Sequence, residues 1–316
     1  MKYILYISLL ITIISCEREL DLDSSSYEKR PVVNAIINSD SVIVVNLTYS
    51  SYFTESTYET IERASVEITD VTDGKSYQLY HSGGGNFQNR VAAISSHDYR
   101  LEIENVGSKL ISAETCVPKN VDLNLTIDTL YDELNLISEL EIDVEIKNDP
   151  DTDNFYSLEV FEYSKDKDSE LETDSVTTVS LIEPFQSQLL HTTNDLGLKT
   201  LNIFTDIGFD GKDVKTSFNI GRSEILFDNG TRGGSSNGSS NGNEETGDTG
   251  NEARPKYAIR IMAMSPELYN YLKSFEIYSQ QENLVTSNTQ PSSIDFNIVN
   301  GLGIFGGSNV QIIPIN

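Results

Sequence analysis

The chain has 316 residues, 38% hydrophobic content and a formal net charge of −27 at pH 7. Such acidity repels nucleic acid and anionic lipid, which argues against nucleic-acid binding and against polybasic attachment to a membrane. Sixteen tyrosines, twelve phenylalanines and abundant Val, Ile and Thr suit half-buried strands with wet outer faces, so a mainly β fold is expected.

The first element is an apolar run from Tyr3 to Ile14 behind a single basic residue, Lys2. It is too short to cross a bilayer as a helix and reads as a secretory signal peptide. Ile13-Ile14-Ser15-Cys16 has the form of a bacterial lipobox, with aliphatic residues upstream, a small residue before the cysteine and a thiol that can form a thioether to diacylglycerol. Residues 1–15 are therefore expected to be removed and Cys16 to be the lipidation site. Acyl chains contribute about 0.8 kcal/mol per buried methylene, so two or three of them anchor a protein without a transmembrane helix. Cys116, the other cysteine, then has no disulfide partner.

Residues 16–30 carry Glu17, Glu19, Asp21 and Asp23 followed by serines, and read as a lipidated acidic tether. From Pro31 the pattern alternates. Two apolar runs flank Asn38-Ser39-Asp40-Ser41 as a β-hairpin; Val66 and Ile68 lead through Asp73-Gly74 to Tyr77 and Leu79; Gly83-Gly84-Gly85-Asn86 turns the chain again; Tyr99, Leu101 and Ile103 share one face. Strands at this spacing predict a β-sandwich over 31–118, immunoglobulin-like or carboxypeptidase-regulatory-like. A second β-rich domain is expected over 119–316. Its first feature is a long hairpin, with Leu140, Ile142, Val144 and Ile146 on one arm and Tyr156, Leu158 and Val160 on the other. TVSLIEPF, TLNIFTDIGFDGK, TSFNIG and YAIRIMAM supply further strands, and residues 229–252, rich in Gly, Ser and Asn, are expected to be a disordered loop. One helix is predicted, with Ser265 as N-cap, Pro266 at its first position and a stripe of Leu268, Tyr271, Leu272, Phe275 and Tyr278 that packs on the core. A glycine-rich final strand, Gly301 to Gly307, ends the pattern.

Candidate catalytic motifs are sparse, and the chain is expected not to be an enzyme. Two G-x-S-x-G matches, at Gly234–Gly238 and Gly238–Gly242, lie in the Gly/Ser tract without the strand and helix that a nucleophile elbow requires. His81, His97 and His191 lack metal-ligand spacing and read as polar surface residues. Asp149, Asp151 and Asp153 alternate and could offer oxygens to calcium, but Asn154 and Val160 stand where an EF-hand needs glycine and glutamate, and Asp, Pro and Asn equally suit a tight turn. No cofactor and no metal site is expected. Asp40-Ser41-Val42, Asp128-Thr129-Leu130 and Asp174-Ser175-Val176 resemble the O-glycosylation sequon of exported Bacteroidota proteins.

The lipobox with CERELDLD, the strand PVVNAIINSDS, NDPDTDNFYSLEV, FTDIGFDGK, the helix LYNYLKSFEIYSQQ and the ending NIVNGLGIFGG together resemble the Bacteroidota lipoprotein family called domain of unknown function 4249. The resemblance implies an outer-membrane lipoprotein, since acids after the acylated cysteine resemble an export signal to the cell surface. It also implies an association with TonB-dependent receptors, whose genes commonly neighbour those of the family, and transfers no catalytic residue. The leading expectation is an accessory protein that captures a small ligand or peptide for such a transporter or covers its mouth. The runner-up is a structural or adhesive surface protein with no transporter partner.

Overall fold

In the computed structural model, residues 27–52, 55, 57–131, 137–147, 152–163, 203–206, 212–221, 256–282 and 293–315 are described. The expected signal peptide, most of the tether, TVSLIEPF and the 229–252 tract lie outside them. The first seven strands are β1 (Pro31–Asn38), β2 (Val42–Tyr49), β3 (Ser65–Asp70), β4 (Lys75–Gly83), β5 (Asn86–Ala92), β6 (Asp98–Glu104) and β7 (Ile111–Cys116). They are followed by β8 (Leu123–Tyr131), β9 (Ile137–Ile146), β10 (Phe155–Tyr163), β11 (Ile203–Thr205), β12 (Val214–Gly221), β13 (Lys256–Met264), helix α1 (Pro266–Glu282) and β14 (Leu302–Ile315). The fold is mainly β, with a sandwich at its N-terminal side and, among the described residues, one helix near the C-terminus, as expected.

The hairpins over 31–104 form where the turn residues predict them. Asp40 adopts φ +60° between β1 and β2, Gly74 φ +68° between β3 and β4, and Gly83, Gly84 and Gly85 all have positive φ between β4 and β5. In the hydrogen-bonded order β1-β2-β5-β4-β3-β6-β7, β4 is the corner. Leu79 pairs with Val66 of β3, while the next residue, Tyr80, pairs with Gln88 of β5. The sheet thereby folds over on itself, so Val33, Ile37, Val45, Leu47 and Phe87 of one layer meet Val66, Ile68, Tyr99, Leu101 and Ile103 of the other in one core. A bridge between Ser112 and Val299 brings the β7 edge back towards β14.

β14 is the organising strand of the molecule. Its first half runs parallel to β1, from Val32 opposite Leu302 to Asn38 opposite Ser308. Its second half is antiparallel to β13, from Met264 opposite Ser308 to Tyr257 opposite Ile315. The eleven-stranded sheet β11-β10-β13-β14-β1-β2-β5-β4-β3-β6-β7 therefore passes through both halves of the chain. Glycine is required at two points. Gly303 has φ +100°, and a Cβ there would sit 2.1 Å from the Val33 carbonyl oxygen; a Cβ on Gly307 would sit 1.8 Å from that of Cys116. The predicted glycine-rich final strand is thus a strand whose glycines let neighbouring backbone close on it.

The long hairpin predicted from β9 and β10 does not form. β9 pairs with β8 and β12 in a separate three-stranded sheet, whereas β10 pairs with β11 and β13. Alternation specifies which face of a strand is buried but not which strand lies beside it. Here the two apolar faces meet across a layer: Ile142, Val144 and Ile146 of β9 pack against the Tyr156 and Leu158 side of β10, with Phe204, Ile259 and Ile261. On the opposite face of the large sheet, Leu268 and Tyr269 of α1 cover Met264 and Ile304. The predicted stripe is buried only at its start, Phe275 and Tyr278 being 45% and 38% exposed.

Candidate functional site

A cleft of about 690 Å³ opens where the end of β7 meets β10, β13 and the start of α1, and its size falls within the range of small-molecule sites. The connection between β7 and β8 forms one wall, so the boundary that the sequence places at 118/119 runs through the cleft. Its apolar lining comes from Val117, Val121, Tyr156 and Met264, all buried, and half-buried Phe155. Phe155 is held by the ring of Tyr269, 4.7 Å away. Asp98, Asp122, Asp153 and Lys119 stand exposed around this lining, together with half-buried Lys147.

The walls are tied together by buried polar contacts. Ser265 is fully buried. Its hydroxyl accepts the Leu268 N–H at 3.3 Å as the N-cap of α1 and the Gly307 N–H at 3.2 Å. The Thr115 hydroxyl is 3.0 Å from it and 3.1 Å from a Glu267 carboxylate oxygen. The single Thr115 proton is directed towards these two acceptors, the Ser265 hydroxyl and the Glu267 carboxylate, and ties the end of β7 to the start of α1. Asn309 donates to the Pro118 carbonyl at 3.1 Å, and Gln311 accepts the Val121 N–H at 2.7 Å, so β14 holds the β7–β8 wall directly. On the other wall the buried carboxylate of Asp206 accepts both the backbone N–H and the side-chain amide of Asn154, at 2.8 and 2.7 Å.

The field in the cleft is negative. Burial pushes the Cys116 thiol up to about 11, and the carboxylates of Glu267 and Asp98 push it in the same direction; a thiol so placed is a poor nucleophile. Lys147 is already held by Asp213 at 2.6 Å and Glu145 at 3.1 Å. Glu145 is in turn kept ionised down to about 2 by hydrogen bonds from Lys215, Asn124 and Lys147.

Of the residues singled out in the sequence, Asp153 lies on the cleft rim. Cys16, Asp149, Asp151, His191, both G-x-S-x-G motifs and Asp174-Ser175-Val176 fall outside the described residues. His81 is exposed against the Phe87 ring. His97 departs from the expected surface role: it is partly buried, and its Nδ1 lies 2.8 Å from Asp70 Oδ2. Asp70, Asp73 and His97 offer three metal-ligand atoms within 4.8 Å of one another. However, Asp70 Oδ1 accepts the Asp73 N–H at 3.0 Å, and Asp73 Oδ2 is held by Lys75 at 2.8 Å. The arrangement staples the β3–β4 turn to the start of β6. Asp98 and Asp122 were not legible as site residues, because only the fold places β6 and the β7–β8 connection on one cleft; the boundary expected at 118/119 marked the connection alone.

Sheet order, cores and cleft define a two-part β protein whose last strand belongs to both parts and whose single described helix caps the larger sheet. The chain belongs to the family described as Domain of unknown function (DUF4249), whose model matches residues 17–312, as its motifs suggested. No curated protein matches it. A solved structure described as "Crystal structure of Dpr2 Ig1-Ig2 in complex with DIP-Theta Ig1-Ig3" is similar at 10% identity and a TM-score of 0.17. This match covers 74% of the present chain and 60% of that one.

Proposed function

We propose that this protein is a non-enzymatic lipoprotein of a bacterial outer membrane, anchored through Cys16 and probing the outside of the cell, that captures a ligand in the cleft for a TonB-dependent transporter. The observation that carries this reading is the pairing of a lipobox at Ile13–Cys16 with a cleft set far from the point where the tether enters the fold. The tether joins β1 beside Gly301, whose carbonyl accepts from Arg30 at 3.1 Å, and beside Ser50, whose hydroxyl accepts the Arg30 N–H at 2.9 Å. The cleft lies at the level of Ser308 and Asn309, where Asn309 reaches Pro118. At about 3.3 Å per strand residue the two ends are roughly 20 Å apart. A lipid at one end therefore leaves the other free to meet solute or a membrane partner.

The anchor is tested by feeding radiolabelled palmitate to expressing cells. Label on the native protein and none on a Cys16→Ser variant is expected; equal label on both removes the reading. Protease shaving of intact cells should then degrade the protein, full protection placing it on the inner leaflet instead. The alternative, an adhesive or structural surface protein, is favoured by detergent co-purification that brings down no large barrel protein.

A further inference from the structure

The chemistry of the cleft goes a step beyond capture of an unspecified ligand. Its lining combines an apolar surface, from Phe155, Tyr156, Met264, Val117 and Val121, with three carboxylates and two ammonium groups. The balance of free charge is more negative than that count. Lys147 is shared between Asp213 and Glu145, and Lys119 also has an interaction partner. Asp98, Asp122 and Asp153 are exposed and engage no cation in a described salt bridge. Glu267, at the start of α1, adds a fourth carboxylate, whose field reaches the Cys116 thiol in the lining together with that of Asp98. An anion entering here would meet these carboxylates with both lysines already engaged. A neutral apolar molecule would use the floor and leave the rim idle. A cation on an apolar body uses both, its charge meeting the aspartates while its body covers the apolar floor.

We infer that the cleft binds an organic cation carried on an apolar body, which in a peptide means a lysine or arginine beside an aromatic or aliphatic side chain. This inference rests on the capture reading only in taking the cleft as the ligand site, and its test does not involve the lipid anchor or any transporter. The chain contains sixteen tyrosines and no tryptophan, so a tryptophan-bearing probe excited at the red edge of its absorption, where tyrosine hardly absorbs, is read without signal from the protein.

The full chain, held in a detergent with uncharged headgroups, is titrated into Lys-Trp-Lys, Glu-Trp-Glu and tryptamine. Saturable binding of Lys-Trp-Lys and none of Glu-Trp-Glu is expected. Tryptamine binding as tightly as Lys-Trp-Lys identifies a free organic amine as sufficient, whereas a preference for Lys-Trp-Lys identifies a peptide; both outcomes support the inference. The D98N/D122N/D153N variant should bind Lys-Trp-Lys about tenfold more weakly, from three rim ion pairs of modest strength each. Attraction to the acidic protein as a whole is separated by the variant E28Q/E104Q/D128N, which makes the same change in net charge at exposed positions outside the cleft lining and should leave binding unchanged. Absent binding, equal binding of the acidic and basic tripeptides, or equal weakening by the two triple variants overturns the inference. If the rim triple variant melts early, the single Asp153→Asn variant carries the same comparison. Palmitate labelling at Cys16 is scored independently, so failure here leaves the anchor reading standing.

Discussion

Cys116 and Tyr99 are two acids that the fold holds in their protonated forms. Burial, aided by Glu267 and Asp98, moves the Cys116 thiol from its ordinary 9 to about 11, and burial moves the Tyr99 phenol from 10 to about 12. In each case the folded chain binds the proton more tightly than the unfolded one. The associated stability is therefore complete below the unfolded values and is lost as pH rises through the folded ones. Chemical denaturation should show constant stability from these groups up to about pH 9, then a decline between pH 9 and 12, shallower over pH 9–11 in Cys116→Ala. The same shift predicts reactivity: at pH 8 iodoacetamide should alkylate Cys116 in the native protein on the order of a hundredfold more slowly than in urea, because so little thiolate is present. Equal rates would mean that the thiol is not desolvated. Gly303 is a second position where one atom matters. Gly303→Ala places a methyl against the Val33 carbonyl at a φ of +100°, combining overpacking with backbone strain. A loss of about 3 kcal/mol or more is expected in urea unfolding.

At the scale of the elements, α1 starts where one serine serves three partners. Ser265→Ala removes the acceptor for the Leu268 and Gly307 N–H groups and for the Thr115 hydroxyl, all at a buried position. An N-cap alone is worth about 1 kcal/mol, and each buried group left unpaired adds 1–3 kcal/mol, so a loss of about 3 kcal/mol is expected. Hydrogen exchange should quicken in the first turn of α1 and in β14 together, because the Ser265 N–H also donates to the Gly307 carbonyl at 2.8 Å. Faster exchange in α1 alone would separate the two elements. The cap was readable in the sequence because Ser-Pro-Glu carries its signal in adjacent residues. Hairpins closed by Asn38–Ser41, Asp73-Gly74 and Gly83–Asn86 were readable for the same reason. The partner of β9 was not, since its alternation is satisfied equally by a neighbouring strand and by a facing layer. Nor was the His97–Asp70 contact, which joins residues 27 positions apart through a sheet. The cleft was least legible of all: its lining runs from Ser96 to Pro266, and no local pattern joins residues so distant.

For the whole molecule, β14 couples the two halves. It completes the N-terminal sheet by pairing with β1 over seven residues and continues into the second sheet by pairing with β13 over eight. Phe305 lies in the first core, Ile315 in the second and Ile304 under the helix. A chain ending at Gly301 would open β1 and β13 as edges and uncover all three apolar clusters at once. Fully burying each such side chain is worth about 1.5–3 kcal/mol, so loss of Phe305, Ile304 and Ile315 alone is comparable with the stability of an ordinary domain. Truncation after Gly301 is therefore expected to abolish the cooperative thermal transition of both halves, with near-ultraviolet tyrosine dichroism lost and dye binding to exposed apolar surface gained. The informative contrast is a chain ending at Ser308, which retains the pairing with β1 and loses most of that with β13. It should keep protected amides in β1 to β7 while β10 and β13 exchange freely. If the chain ending at Gly301 instead keeps native protection in β1 to β7, the N-terminal sandwich stands without its borrowed strand, and coupling through β14 does not hold the cleft walls in register.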